Sequence, residues 1–148
     1  RIAAVEDRVA GLTGPTVFVV EWCEPIFNAG HWTPELVRLA GGTPVLAAEG
    51  KDSVRVPWEA LRAADPAVVV VACCGHAVER TRRDVPLLES LPGWSDLRAV
   101  RDRRVYLADG SAYFSRPGPR VVDTLELLAA VLHPDACRFP DRGAVPVY

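Results

Sequence analysis

Ala67-Val68-Val69-Val70-Val71-Ala72 is the stretch that decides the fold. Six apolar residues follow one another without the polar alternation of a half-exposed strand, so both faces of this strand are expected to be covered. Strands of that kind sit inside parallel sheets flanked by helices. Upstream, Thr16-Val17-Phe18-Val19-Val20-Glu21-Trp22 repeats the pattern. Arg104-Val105-Tyr106-Leu107 and the short Pro44-Val45-Leu46-Ala47 bring the expected strands to about four.

Helical signals separate these strands. Ile2, Val5, Val9 and Leu12 recur at helical period over residues 1–13, and Gly14-Pro15 stops that helix. Thr33-Pro34-Glu35 reads as an N-cap, a first-turn proline and a first-turn acid, ahead of the apolar face Leu36, Val37, Leu39 and Ala40. A helix is expected around Trp58 to Ala64, ended by Asp65-Pro66, and another over residues 76–90. Pro92-Gly93-Trp94 marks a turn, with a short helix near residues 95–100. Pro119 is expected to open a last helix carrying Val122, Leu125, Leu128, Ala129 and Leu132, with His133 as its C-terminal cap before Pro134. Strands alternating with helices define the fold class as α/β, a three-layer Rossmann-like domain with a mostly parallel sheet of about four strands. Residues 15–134 form that domain, and the aperiodic residues 135–148 are expected to wrap its surface as a tail.

Composition narrows the function. The 148 residues are 49% hydrophobic and 24% charged, enough for one ordinary buried core. Seventeen basic against nineteen acidic residues give a net charge of -2, which argues against nucleic acid as a partner. No apolar run approaches the roughly 18 residues of a membrane span. Methionine is absent even at position 1, and the first helix starts uncapped at residue 1, so a piece of a longer chain is expected. Cys23, Cys73, Cys74 and Cys137 lack the CxxC spacing of a zinc ribbon and the density of a disulfide framework.

Ligands of such sheets bind beyond the carboxyl ends of the strands, which selects residues 21–32, 73–76 and 109–116. The first loop carries Trp22, Phe27 and Trp32, and the third carries Tyr113 and Phe114. Rings outside the core periodicity make a flat apolar binding surface. Arg116 precedes a helix N-terminus and offers a fork of donors for oxygen acceptors, whereas Arg120 reads as a structural ion pair. The second loop, Cys73-Cys74-Gly75-His76, admits a cysteine nucleophile, but the elbow pattern G-x-C-x-G is not met around either cysteine. An alternative reading assembles a metal site from His31, Cys74 and His76 at the same rim.

Taken together, these segments resemble the C-terminal lobe of the metal-chelate (class III, helical-backbone) substrate-binding proteins of ABC importers, most of all the cobalamin-binding subgroup. The resemblance is carried by Glu21-Trp22, Glu24-Pro25, Phe27, Ala29-Gly30-His31-Trp32 and Pro34-Glu35. It continues through Leu39-Ala40-Gly41-Gly42, Trp58-Glu59, Asp65-Pro66, Cys74-Gly75, Pro92-Gly93-Trp94 and Phe114-Ser115-Arg116-Pro117-Gly118-Pro119-Arg120. It implies a non-enzymatic binding lobe that needs no cofactor. The transported ligand would be cobalamin or a related chelate, haem or an iron–siderophore, held between two lobes joined by one long helix. Residues 1–14 would be the end of that helix, and the N-terminal lobe would be the missing partner. Trp22, Tyr113, Phe114 and Arg116 match cleft-lining positions of the B12-binding relatives, and Glu59 matches the glutamate that docks on the membrane permease. The family usually carries an acidic residue shortly before that arginine; Tyr113, Phe114 and Ser115 stand there here. The implied location is periplasmic, or extracellular and membrane-tethered, with a cytoplasmic corrinoid-handling role as the alternative.

Overall fold

Val68, Val69, Val70 and Val71 are all 0% exposed, and alternate residues of this strand enter two different cores. The structure, a computed structural model, describes residues 1–138 and 143–148. Helix α1 (Ile2–Val9) leads to β1 (Thr16–Cys23), which turns back through Glu24-Pro25, joined by a cis bond, into β2 (Ile26–Asn28). Then come α2 (Thr33–Leu39), β3 (Thr43–Pro44), α3 (Trp58–Ala64) and β4 (Val68–Val71). The short helices α4 (Val78–Arg82), α5 (Val85–Glu89) and α6 (Arg98–Arg101) lead to β5 (Val105–Ala108). A π-type turn, Gly110–Phe114, precedes α7 (Val121–Leu132) and a last strand, β6 (Ala144–Pro146).

The sheet has six strands rather than about four, and its parallel part is β3, β1, β4 and β5. Val17 aligns with Val68, and Val69 with Val105. The two additions are antiparallel: β2 folds back on β1, and β6 pairs with β5 through Tyr106–Pro146 and Ala108–Ala144. The sequence region read as an aperiodic tail thus contributes an edge strand. Three residues including a proline leave no periodic signal, and proline is tolerated at an edge because no neighbour needs its missing N–H.

Val17, Val19, Val68 and Val70 pack under α1, α2 and α7, whereas Phe18, Val20, Val69 and Val71 pack under α3, α5 and α6. The continuous apolar runs therefore mean two covered faces, as expected for a three-layer α/β domain. Several local expectations shift. Residues 76–90 form two short helices rather than one, because Pro86 cannot donate to the carbonyl of Arg82 and its ring would strike it. Thr33 lies inside α2 while Trp32 takes the cap position, and α7 begins at Val121 with Arg120 at its cap, two residues after the Pro119 expected to open it. Ile2, at the start of α1, and Leu12, beyond its end at Val9, stay 44% and 43% exposed, and α1 buries only Val5 and Val9. His133 does end α7, buried, with Nε2 3.3 Å from the Gly41 carbonyl.

One close approach sets the functional end of the sheet. A Cβ on Gly110 would lie 2.0 Å from the Cys73 carbonyl oxygen, so the loop after β5 can press onto the end of β4 only with glycine there. Ser115 Oγ accepts from the Gly75 N–H at 2.9 Å and the Ser111 N–H donates to the His76 carbonyl at 3.2 Å, latching the same two loops. Gly110→Ala is expected to lower stability by about 1–3 kcal/mol through forced backbone displacement, read as a lower urea midpoint at unchanged slope.

Candidate functional site

The chain leaves β1 toward the face covered by α2 and leaves β4 toward the face covered by α5. Loops that diverge from neighbouring parallel strands open a crevice at their carboxyl ends. A notch of about 260 Å³ lies there, lined by Glu21 from β1, Gly30 to Thr33, Ala72, Cys74, Phe114 and Ser115. One wall is secured by the segment 46–54. Asn28, 2% exposed, donates to the Leu46 carbonyl at 2.6 Å and accepts from the Val54 N–H at 2.7 Å. Ser53 accepts from the Gly30 N–H at 3.0 Å and donates to the Glu21 carboxylate. Asn28 and Ser53 do not stand out in the sequence, because each is one short polar residue whose partner is distant along the chain.

The aromatic residues divide into two groups. Trp22 is 39% exposed at the rim, lies opposite Phe27 in the β1–β2 ladder, and has its ring 5.2 Å from that of His76. Phe27 is half-buried. Trp32 is half-buried against the core, with its indole N–H shielded from solvent and without an acceptor among the described residues. Phe114 borders the notch but is only 6% exposed and belongs to the core. Tyr113 packs beside it, and its carbonyl accepts from Thr124 Oγ1 of α7. Aromatic spacing alone does not separate a rim ring from a core ring, since both follow a strand end.

Beside the notch, a wider depression of about 560 Å³ is lined by Ala77, Asp109, Ser111, Ala112, Arg116 and Arg120, among others. Asp109 Oδ1 accepts from the Ala112 N–H at 2.7 Å and so shapes the π-type turn. Arg116 and Arg120 are exposed and, among the described residues, neither forms an ion pair. Among the described residues the structural ion pair expected for Arg120 is not formed, and Asp123 of α7 is paired with Arg1 instead. Two unpaired guanidinium groups at one depression suit oxygen-rich, anionic edges of a ligand.

His31, Cys74 and His76 do not gather. His31 is exposed with Nδ1 3.7 Å from Asp52, Cys74 is exposed at the notch, and His76 Nδ1 faces Asp84 at 3.6 Å. The chain reverses between residues 73 and 76, turning His76 away from its exposed cysteine neighbour and toward buried Cys73. Cys73 and Cys23 are both buried, with sulfurs 3.6 Å apart. Their hydrogen bond, with burial, pushes the Cys23 thiol well above its ordinary range, while the same hydrogen bond draws Cys73 down. Glu59 is exposed in the first turn of α3. Because α3 runs back toward the start of β4, that turn lies at the same end of the sheet as the notch.

Known proteins share this architecture. A periplasmic heme binding protein from Pseudomonas aeruginosa superposes with a TM-score of 0.77 at 26% identity, over 98% of this chain and 53% of that one. An ABC transporter substrate-binding protein from Listeria monocytogenes gives a TM-score of 0.78 at 22% identity, over 90% and 53%. For the periplasmic vitamin B12 binding protein BtuF of Vibrio cholerae, the TM-score is 0.66 at 19% identity, over 88% and 49%. The chain spans about half the length of these proteins. No curated protein matches it in sequence. With residues 1–112 matching the family described as periplasmic binding protein, a doubly covered sheet and a crevice at its carboxyl end, the chain belongs to the periplasmic binding protein family.

Proposed function

We propose that this chain is the C-terminal solute-binding lobe of an ABC importer's receptor, taking a metal chelate of the corrinoid, haem or iron–siderophore class against its crevice. The observation that carries this reading is an open depression lined by Arg116 and Arg120, which form no ion pair among the described residues, with an exposed ring, Trp22, at the same edge of the sheet. A planar chelate offers an apolar face to the ring and oxygen-bearing peripheral groups to the guanidinium forks. Trp22, Phe27, Trp32 and Tyr113 supply the apolar side, with Phe114 as the floor beneath. Arg116 and the backbone of residues 111–115 supply the polar side.

A second lobe, placed N-terminal to α1, closes over the ligand in this reading. Nanomolar binding requires about -12 kcal/mol, and a single open lobe covers too little of a chelate to reach it. The 148 residues alone are expected to bind cobalamin, haemin or a ferric hydroxamate at micromolar concentration or weaker, and the two-lobed protein at nanomolar, by calorimetry. Nanomolar binding by this chain alone would remove the second lobe from the account. In the two-lobed protein, Trp22→Ala is expected to weaken its chelate at least about tenfold, the loss typical of an interfacial aromatic anchor.

Glu59 is assigned to permease docking, in a protein that works outside the cytoplasmic membrane. Among the described residues no helix is long and apolar enough to cross a membrane. An exposed carboxylate in a helix's first turn acts on a basic partner chiefly by steering, and its effect fades over a Debye length of about 8 Å at physiological salt. Glu59→Ala should leave chelate affinity unchanged and reduce transport in reconstituted vesicles, with the difference shrinking as salt rises. Unchanged transport at low salt would exclude Glu59 from docking.

A further inference from the structure

Four metal-ligating side chains converge behind the rim, on the face opposite α7. Cys23 ends β1, Cys73 follows β4, His76 lies on the next loop, and Asp84 caps α5. The Cys73 sulfur, a ring nitrogen of His76 and a carboxylate oxygen of Asp84 lie within 4.8 Å of one another. The Cys23 sulfur adds a fourth donor, 3.6 Å from that of Cys73. Among the described residues His76 Nδ1 is shielded from solvent yet lacks a hydrogen-bond partner, and its 3.6 Å separation from Asp84 Oδ2 is too long for one. A buried ring nitrogen without a partner is costly unless something else engages it.

We infer that Cys23, Cys73, His76 and Asp84 form a binding site for a thiophilic divalent cation, zinc above all. Two thiolates about 2.3 Å from a tetrahedral zinc lie about 3.8 Å apart, and a ring nitrogen and carboxylate oxygen on the same ion lie about 3.4 Å apart. The separations of 3.6 Å within each pair are close to these values, and binding would draw Cys23, which lies outside the 4.8 Å cluster of the other three donors, in toward the ion. A supporting contact is in place as well. Arg80 Nη1 donates to Asp84 Oδ1 at 2.6 Å, which leaves Oδ2 directed at His76. Two thiolates and one carboxylate around zinc leave a single negative charge, which Arg80 offsets. The ion would tie β1, the β4 loop and α5 together and hold His76 against Trp22, bracing the rim from below. The site is independent of the chelate reading, because none of its ligands needs a transported molecule.

Cobalt(II) is the probe, added to the reduced, metal-free 148-residue chain. One equivalent is expected to give thiolate-to-metal charge-transfer absorption and tetrahedral visible bands, displaced by zinc, with about two protons released per zinc bound near neutral pH. Cys73→Ser and His76→Gln should each weaken cobalt binding by at least tenfold while keeping the far-ultraviolet dichroism of the folded chain. Retention of the cobalt spectrum in Cys73→Ser, or its loss in Cys74→Ser alone, would overturn the assignment. So would the absence of thiolate charge transfer from the reduced chain, or a Cys23–Cys73 disulfide forming in the presence of excess zinc.

Discussion

Burial of β4 on both faces is the constraint on which the rest of this structure depends. Four consecutive valines at 0% exposure require a helical layer above and another below, and each layer must be reached by chain leaving the neighbouring strands. The connection after β1 goes one way and the connection after β4 the other, so their divergence leaves a crevice at the carboxyl edge. The notch is thus a consequence of how the hydrophobic core is covered, and the polar residues around it line a gap that the core creates.

The rim built on that gap separates two kinds of surface. On the β1 side, Trp22 and the half-buried Phe27 and Trp32 supply apolar area, steadied by the buried Asn28 and by Ser53 on the crossing segment. On the β5 side, Asp109 shapes a π-type turn and Arg116 and Arg120 stand unpaired beyond it. Gly110 allows the β5 loop to lie against the Cys73 carbonyl at the end of β4, between them. In the proposed function, rings that stack and guanidinium groups that take oxygen acceptors would together recognise a flat, polar-edged molecule.

Legibility in the sequence followed the range of the interaction involved. The four parallel strands, with β3 at Thr43–Pro44 rather than the expected 44–47, the apolar faces of α2 and α7 and the position of His133 were readable, because each depends on spacing within one element. Antiparallel edge strand β6 was not, since a three-residue edge is defined by the neighbour it joins. The break between α4 and α5 rests on the single Pro86 inside an otherwise helical stretch. Among site residues, Trp22 and Arg116 stand exposed at the rim, while Phe114 is part of the core and Arg120 is unpaired, since exposure depends on what packs above a loop.

The cysteines draw the same line most sharply. By itself the sequence determined an α/β domain, a parallel sheet covered on both faces and the three loops at its carboxyl edge, because hydrophobic periodicity and backbone-breaking residues act locally. Only the tertiary structure decided that Cys73, not Cys74, faces His76, and that Cys23 and Asp84 join them. Adjacent residues at a strand end point to opposite sides, and partners fifty residues apart meet only when β1 and β4 align in register.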